Sequence, residues 1–170
     1  MRVFAVIALF AMTSVIAAQD TASSIRNYLR INTDFCTGGQ PRMDELAKLK
    51  SDGIRTIINL RPPSEYPESA QEEKLAKELG LRYFNIPVVF NDPKDEQVTE
   101  FLKLTDDPAN RPAFIHCTAA IRAGAFWMIR RVVRDHWSLE DAQAEAGKVG
   151  LGRGSSLNAF VRKYIDSHRP

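Results

Sequence analysis

Short apolar runs alternate along this chain with longer amphipathic stretches, and that alternation leaves few ways to fold. Residues 54–60 (Ile-Arg-Thr-Ile-Ile-Asn-Leu) are β-branched and apolar enough for a central strand. Arg82 to Val89 and Ala113 to His116 predict two more, and Asp34 to Thr37 a shorter one ending in the turn Gly38-Gly39-Gln40-Pro41. Between them, Met43 to Lys50 places Met43, Leu46 and Leu49 on one helical face and stops at Gly53. Glu68 to Leu79, Glu96 to Leu104, Arg122 to Arg134 and Leu157 to Ile165 carry the same period, as does a stretch to about Lys148 that Ser138 and Asp141 open as a capping pair. Thr21 to Thr33 reads as a short helix and lead-in. Strands alternating with helices specify an α/β fold: a mostly parallel central sheet flanked by helices, with functional loops at the carboxyl ends of the strands.

With 170 residues, 44% of them hydrophobic, the chain suits one domain with a real core. Its first 18 residues have a basic start at Arg2, an apolar run from Val3 and small residues before Gln19, the pattern of a secretory signal peptide. Cleavage after Ala17 or Ala18 leaves a domain over 19–170 in the periplasm or outside the cell, with no membrane span after cleavage; an uncleaved anchor is the alternative. Removing Arg2 brings the net charge to +1, 22 basic against 21 acidic residues, which gives no reason to expect nucleic acid as a partner. In an oxidising compartment the two cysteines, Cys36 and Cys117, raise a disulfide or a redox latch as a question.

The stretch from Pro112 to Gly124 concentrates the chemistry. An apolar run ends in His116-Cys117, four residues follow, and Arg122 opens a helical pattern. A loop at a helix start leaves backbone N–H groups without intrahelical partners, and with the helix dipole they favour phosphate or a similar oxyanion. The same field favours thiolate, which makes Cys117 a candidate nucleophile. Arg122 offers a bidentate fork to two oxygens of one anion. The plain alternative is that Cys117 is a small buried hydrophobe and Arg122 a surface residue.

Further segments decide the balance. Gly38-Gly39-Gln40-Pro41, Ile58-Asn59-Leu60-Arg61-Pro62-Pro63-Ser64-Glu65, Ile86-Pro87-Val88, His116-Cys117 with Arg122, and Trp137 to Ala142 occur in that order. Over residues 24 to 166 the set resembles the bacterial exported branch of the cysteine-dependent protein tyrosine and dual-specificity phosphatase family. The resemblance implies hydrolysis of a phosphomonoester, protein phosphotyrosine or a small phosphate ester, through a phosphocysteine and without metal or cofactor. Cys117 is then the nucleophile, Thr118, Ala119, Ala120, Ile121 and Arg122 bind phosphate, and His116 supports the thiolate. An Asp after the Ile-Pro-Val strand protonates the leaving oxygen in this family; Asp92 is the candidate ahead of Asp95, set against a plain role for Asp92 in starting a turn and capping the next helix.

The loop also departs from the family. It has four residues between Cys and Arg where five are usual, Ala120 in place of a glycine and Ala123 in place of a hydroxyl. A loop of that size also occurs in rhodaneses, so a rhodanese-like sulfurtransferase is the rival, and a non-catalytic anion-binding domain the third reading. Arg61 and Glu65 are read as a pair holding the double-proline loop, with substrate contact by Arg61 as the alternative. Residues 150–154 (Gly-Leu-Gly-Arg-Gly) read as a flexible connection from which Arg153 has a route to an anionic substrate.

Overall fold

In the computed structural model, which describes residues 24–168, five strands form one sheet in the order β1-β2-β5-β3-β4. They are β1 (Leu29–Arg30), β2 (Phe35–Gly38), β3 (Thr56–Asn59), β4 (Arg82–Asn85) and β5 (Ala113–His116). All neighbours are parallel except β1, which runs antiparallel to β2. The described residues also form six α-helices: α1 (Met43–Ser51), α2 (Ser69–Glu78), α3 (Asp95–Asp106), α4 (Ile121–Val133), α5 (Leu139–Val149) and α6 (Leu157–His168). The expected mostly parallel, helix-flanked sheet is what forms.

The two faces of the sheet follow from the two-residue period of a strand. Phe35, Ile58 and Ile115 point into a core shared with α3 to α6, whereas Cys36, Ile57 and Phe114 point into a second core with α1 and α2. Helix α4 is buried almost all round, because α5 and α6 both pack on it. Two expectations are corrected here. Residues 29–30 pair as an edge strand where a helix was expected; two residues are too short for any periodicity to register. The strand beginning at Arg82 is in regular register only to Asn85, beyond which Ile86 and Val88 still donate to the Asn59 and Leu60 carbonyls of the neighbouring chain segment.

Register also answers the cysteine question. Cys36 lies opposite Phe114, three residues before Cys117, so the two are separated by about 10 Å along the strand direction. They also face opposite cores. A disulfide needs Cα atoms within about 7 Å; no disulfide joins the two, and both are buried. The expected leader, residues 1–18, lies outside the described residues. Among the described residues no helix is long and apolar enough to cross a membrane.

Candidate active site

Because β2, β3, β4 and β5 are parallel, their carboxyl ends lie along one edge. Gly38 and Asn59 flank His116 in register, so Gly39-Gln40, Leu60-Arg61 and Cys117 leave the sheet side by side. This is where ligands bind in open α/β sheets.

The loop after β5 is held open by its neighbours. The Thr118 carbonyl accepts from the Gln40 N–H at 3.3 Å, and the Ala120 carbonyl accepts from the Gly124 N–H at 2.8 Å. The Ala119 carbonyl accepts from Asn27 Nδ2 at 3.0 Å. The N–H groups of Thr118, Ala119, Ile121 and Arg122 make no backbone hydrogen bond among the described residues. A run of unpaired N–H groups at a helix start is a nest for an anion. Two glycines permit this packing. A Cβ on Gly39 would stand 2.8 Å from the Thr118 carbonyl oxygen, and one on Gly150, at φ +141°, would stand 3.2 Å from that of Ala119. Residues 150–151 are therefore not a free connection as the sequence suggested: Gly150 backs the loop and Leu151 is fully buried.

The predicted nucleophile and guanidinium both reach this edge. Cys117 is 1% exposed, and its N–H reaches the Gly38 carbonyl at 3.4 Å. Arg122, 3% exposed, donates Nη1 to the Val88 carbonyl at 2.8 Å, and Nη2 to Glu65 Oε2 at 2.7 Å and Thr118 Oγ1 at 3.1 Å. Its Nε is buried with no partner, a donor left for a ligand.

The Glu65 carboxylate thus belongs to Arg122, which corrects the expected pairing with Arg61. Arg61 donates instead to the Glu65 carbonyl (2.6 Å) and to Gln40 Oε1 (2.9 Å), and lies over the Tyr66 ring. Asn59 and Asn85 brace this turn: Asn59 Oδ1 accepts from the Arg61 N–H, and Asn85 Nδ2 donates to the Arg61 carbonyl.

Beneath the loop lies a buried carboxylate that sequence reading missed. Glu72 of α2 is 0% exposed. Its Oε2 accepts from Gln40 Nε2 at 3.0 Å, and its Oε1 stands 3.0 Å from His116 Nε2. That separation suits a hydrogen bond, but the geometry is out of line for one, so the contact is electrostatic in the first place. Burial pushes the Glu72 carboxyl up; His116, Gln40 and Arg61 together outweigh it and hold the group below the ordinary carboxylate range. Burial, with the Glu72 charge second, pushes the Tyr83 phenol up. The signal for Glu72 was weak but present, since it falls on the same helical stripe as Ala76, four residues on.

Asp92 is not drawn to the loop. Its carboxylate pairs with Lys94 at the surface, and its N–H bonds the Val89 carbonyl in a turn; the N-cap of α3 is Lys94 rather than Asp92. Arg153 lines a cavity of about 790 Å³ between α5 and α6, with Gln143, Asn158 and Arg162.

Known proteins resemble this arrangement in fold and sequence. A DUF442 protein of Shewanella putrefaciens superposes with a TM-score of 0.73 at 24% identity, over 86% of this chain and 96% of that one, a likeness in fold. A "Beta-lactamase hydrolase-like protein" of Xylella fastidiosa is 25% identical over 142 residues, 82% of this chain and 33% of the relative. The chain thus spans about a third of the length of the first curated relatives it matches. "Inositol diphosphatase DSP2" of Oryza sativa subsp. japonica is 32% identical over 95 residues, 54% of this chain and 46% of that protein. The model of one family, described as "DSP-PTPase phosphatase fused to NAD+ Kinase", matches residues 5–163, and by that match over nearly its whole length the chain belongs to this phosphatase family.

Proposed function

We propose that the chain hydrolyses a phosphomonoester by way of a phosphocysteine on Cys117. The observation that carries this reading is the nest of unpaired N–H groups of Thr118, Ala119, Ile121 and Arg122, closed by the unpartnered Nε of Arg122, beside a buried thiol. In the first step the Cys117 thiolate forms a bond to phosphorus while the bond to the ester oxygen breaks. The N–H groups and Arg122 hold the equatorial oxygens as charge develops on them. The leaving oxygen takes a proton, for which Asp92 is the proposed donor once its loop closes on substrate. Water then attacks phosphorus, releasing inorganic phosphate and returning the thiolate. Ala123 provides no hydroxyl to that departing sulfur, whereas Thr118 Oγ1, already bonded to Arg122, is the hydroxyl within the loop.

Family membership disfavours the sulfurtransferase alternative. The rice relative's name adds phosphorylated inositols to aryl phosphates and phosphotyrosine peptides as substrates to try. We also propose that residues 1–18 are removed on export to the periplasm or beyond, which the N-terminal sequence of the protein isolated from the cell envelope tests.

The deciding experiment incubates reduced protein separately with an aryl phosphate and with thiosulfate, following product and the intact mass of Cys117 adducts. Phosphate release with a transient phosphate adduct, both lost in Cys117→Ser, is expected. Release that persists in the serine variant, or a persulfide without phosphate turnover, would overturn the reading. Asp92→Asn is expected to slow esters with poor leaving groups at least tenfold more than an activated aryl phosphate; equal effects on both would remove it from the mechanism.

A further inference from the structure

A fully buried carboxylate is costly, and a buried polar cluster replaced as a whole by well-packed apolar residues is often as stable or more so, although removing one partner alone destabilises the fold. Glu72 therefore calls for an explanation other than stability. Its two oxygens are spent on two residues that adjoin the loop by different routes. One is Gln40, whose backbone N–H holds the Thr118 carbonyl. The other is His116, the residue before Cys117.

The Gln40 amide can sit only one way round. A carboxylate only accepts and a guanidinium only donates, so Nε2 must face Glu72 and Oε1 must face Arg61. Arg61 then donates to the Glu65 carbonyl, and the Glu65 carboxylate holds Arg122. The chain His116, Glu72, Gln40, Arg61, Glu65, Arg122 is thus a continuous set of polar contacts. It runs under the loop from the residue beside the thiol to the guanidinium on the far side.

We propose that Glu72 is a positioning residue for the reaction at Cys117. By fixing Gln40 and His116 it sets the spacing between the nucleophile and the Arg122 end of the anion nest. It touches neither substrate nor reacting atoms. A displacement of about 1 Å among such groups is enough to cost on the order of a hundredfold in rate. The proposal rests on the phosphatase reading for its catalytic part, but the geometry it invokes is that of an anion site, which is measurable without turnover.

The test uses orthovanadate as the anion and its protection of Cys117 from iodoacetamide as the readout, alongside kcat/KM for an aryl phosphate. Glu72→Met, which leaves Gln40 Nε2 and His116 without their buried acceptor, is expected to fall in thermal midpoint yet stay folded, to weaken protection at least tenfold and to lower kcat/KM by a similar factor. Protection and kcat/KM within twofold of the wild type would overturn the proposal. A loss of thermal stability with vanadate affinity retained would do so as well. In a Gln40→Met background the Glu72→Met change should add clearly less than it does in the wild type, the remainder passing through His116, and losses that multiply in full would overturn the route through Gln40. Should Glu72→Met fail to fold, the isosteric Glu72→Gln carries the same comparison. Glu72-dependent vanadate protection in a protein that turns over no phosphate ester supports the positioning role and sinks only the hydrolysis reading. Vanadate that fails to protect wild-type Cys117 overturns both.

Discussion

At Ala120 the chain adopts φ +65°, a conformation that costs a residue with a Cβ roughly 1–2 kcal/mol. The methyl group is fully buried and recovers about 0.8 kcal/mol of that, so an alanine stands where the family usually has glycine without a large net penalty. Gly39 has no such latitude. A Cβ there meets the Thr118 carbonyl oxygen at 2.8 Å and the Ala119 Cα at 3.4 Å, both main-chain atoms that yield only by moving the loop. Gly39→Ala is expected to cost about 1–3 kcal/mol from overpacking. Because the displaced atoms are those that aim the N–H groups, kcat/KM should fall at least tenfold. Chemical denaturation and steady-state kinetics check the two parts, and unchanged kinetics would show that the loop tolerates the shift. Cys117 and Arg122 were legible because their spacing is written in the chain itself. Glu72 carried only the weak signal of its place on the Ala76 stripe, since little else local distinguishes one glutamate of an amphipathic helix from its solvated neighbours; its burial is decided by where Gln40 and His116 arrive from other strands.

Among the elements, α5 matters beyond its own packing, since its C-terminal Gly150 is the surface on which Ala119 and Ala120 rest. The helix begins at the Ser138 cap the sequence predicted, with Ser138 Oγ accepting from the Asp141 N–H at 3.0 Å. The Asp141 carboxylate takes the Ser138 hydroxyl at 2.7 Å, so the shorter side chain pairs with the cap itself instead of reaching back to its N–H as a glutamate does in a capping box. Ser138→Ala is expected to cost about 1 kcal/mol, a fall of roughly 2–4 °C in thermal midpoint for a chain of this size, with kcat and KM unchanged because the far end of the helix stays docked. Differential scanning calorimetry and kinetics on one preparation measure this. Helices of nine or more residues were visible from their period, whereas the two-residue β1 and the early end of β4 depend on which strand lies alongside. Partners of that kind do not show in a single stretch of sequence.

For the whole molecule, strand order places the ends of β2, β5 and β3 together, and this lets groups far apart in sequence share one buried charge. Glu72 faces His116 from β5, Gln40 from the turn after β2, Arg61 and Tyr66 from the segment after β3, and Tyr83 from β4. Burial alone would raise its pKa; the partners reverse the sign, so the folded value lies below that of an unfolded glutamate, about 4.3. Stability rises with pH wherever the unfolded state binds more protons. The unfolded chain takes up this proton first as pH falls, so the contribution of the charged Glu72 is fully present above the unfolded value and is lost as pH drops through the folded one. Measured by urea unfolding, the stability difference between wild type and Glu72→Gln is expected to be constant from pH 8 to about 5.5, then to shrink steadily in more acid solution, where the wild-type side chain becomes a neutral acid like its replacement. A difference that stays constant down to the acid transition would mean that Glu72 titrates alike in the folded and unfolded protein, whereas one that changes steadily against the wild type as pH rises above about 4.3 would mean that Glu72 stays protonated in the fold, and the polar chain under the loop would then have to be redrawn around a neutral hydrogen-bond donor.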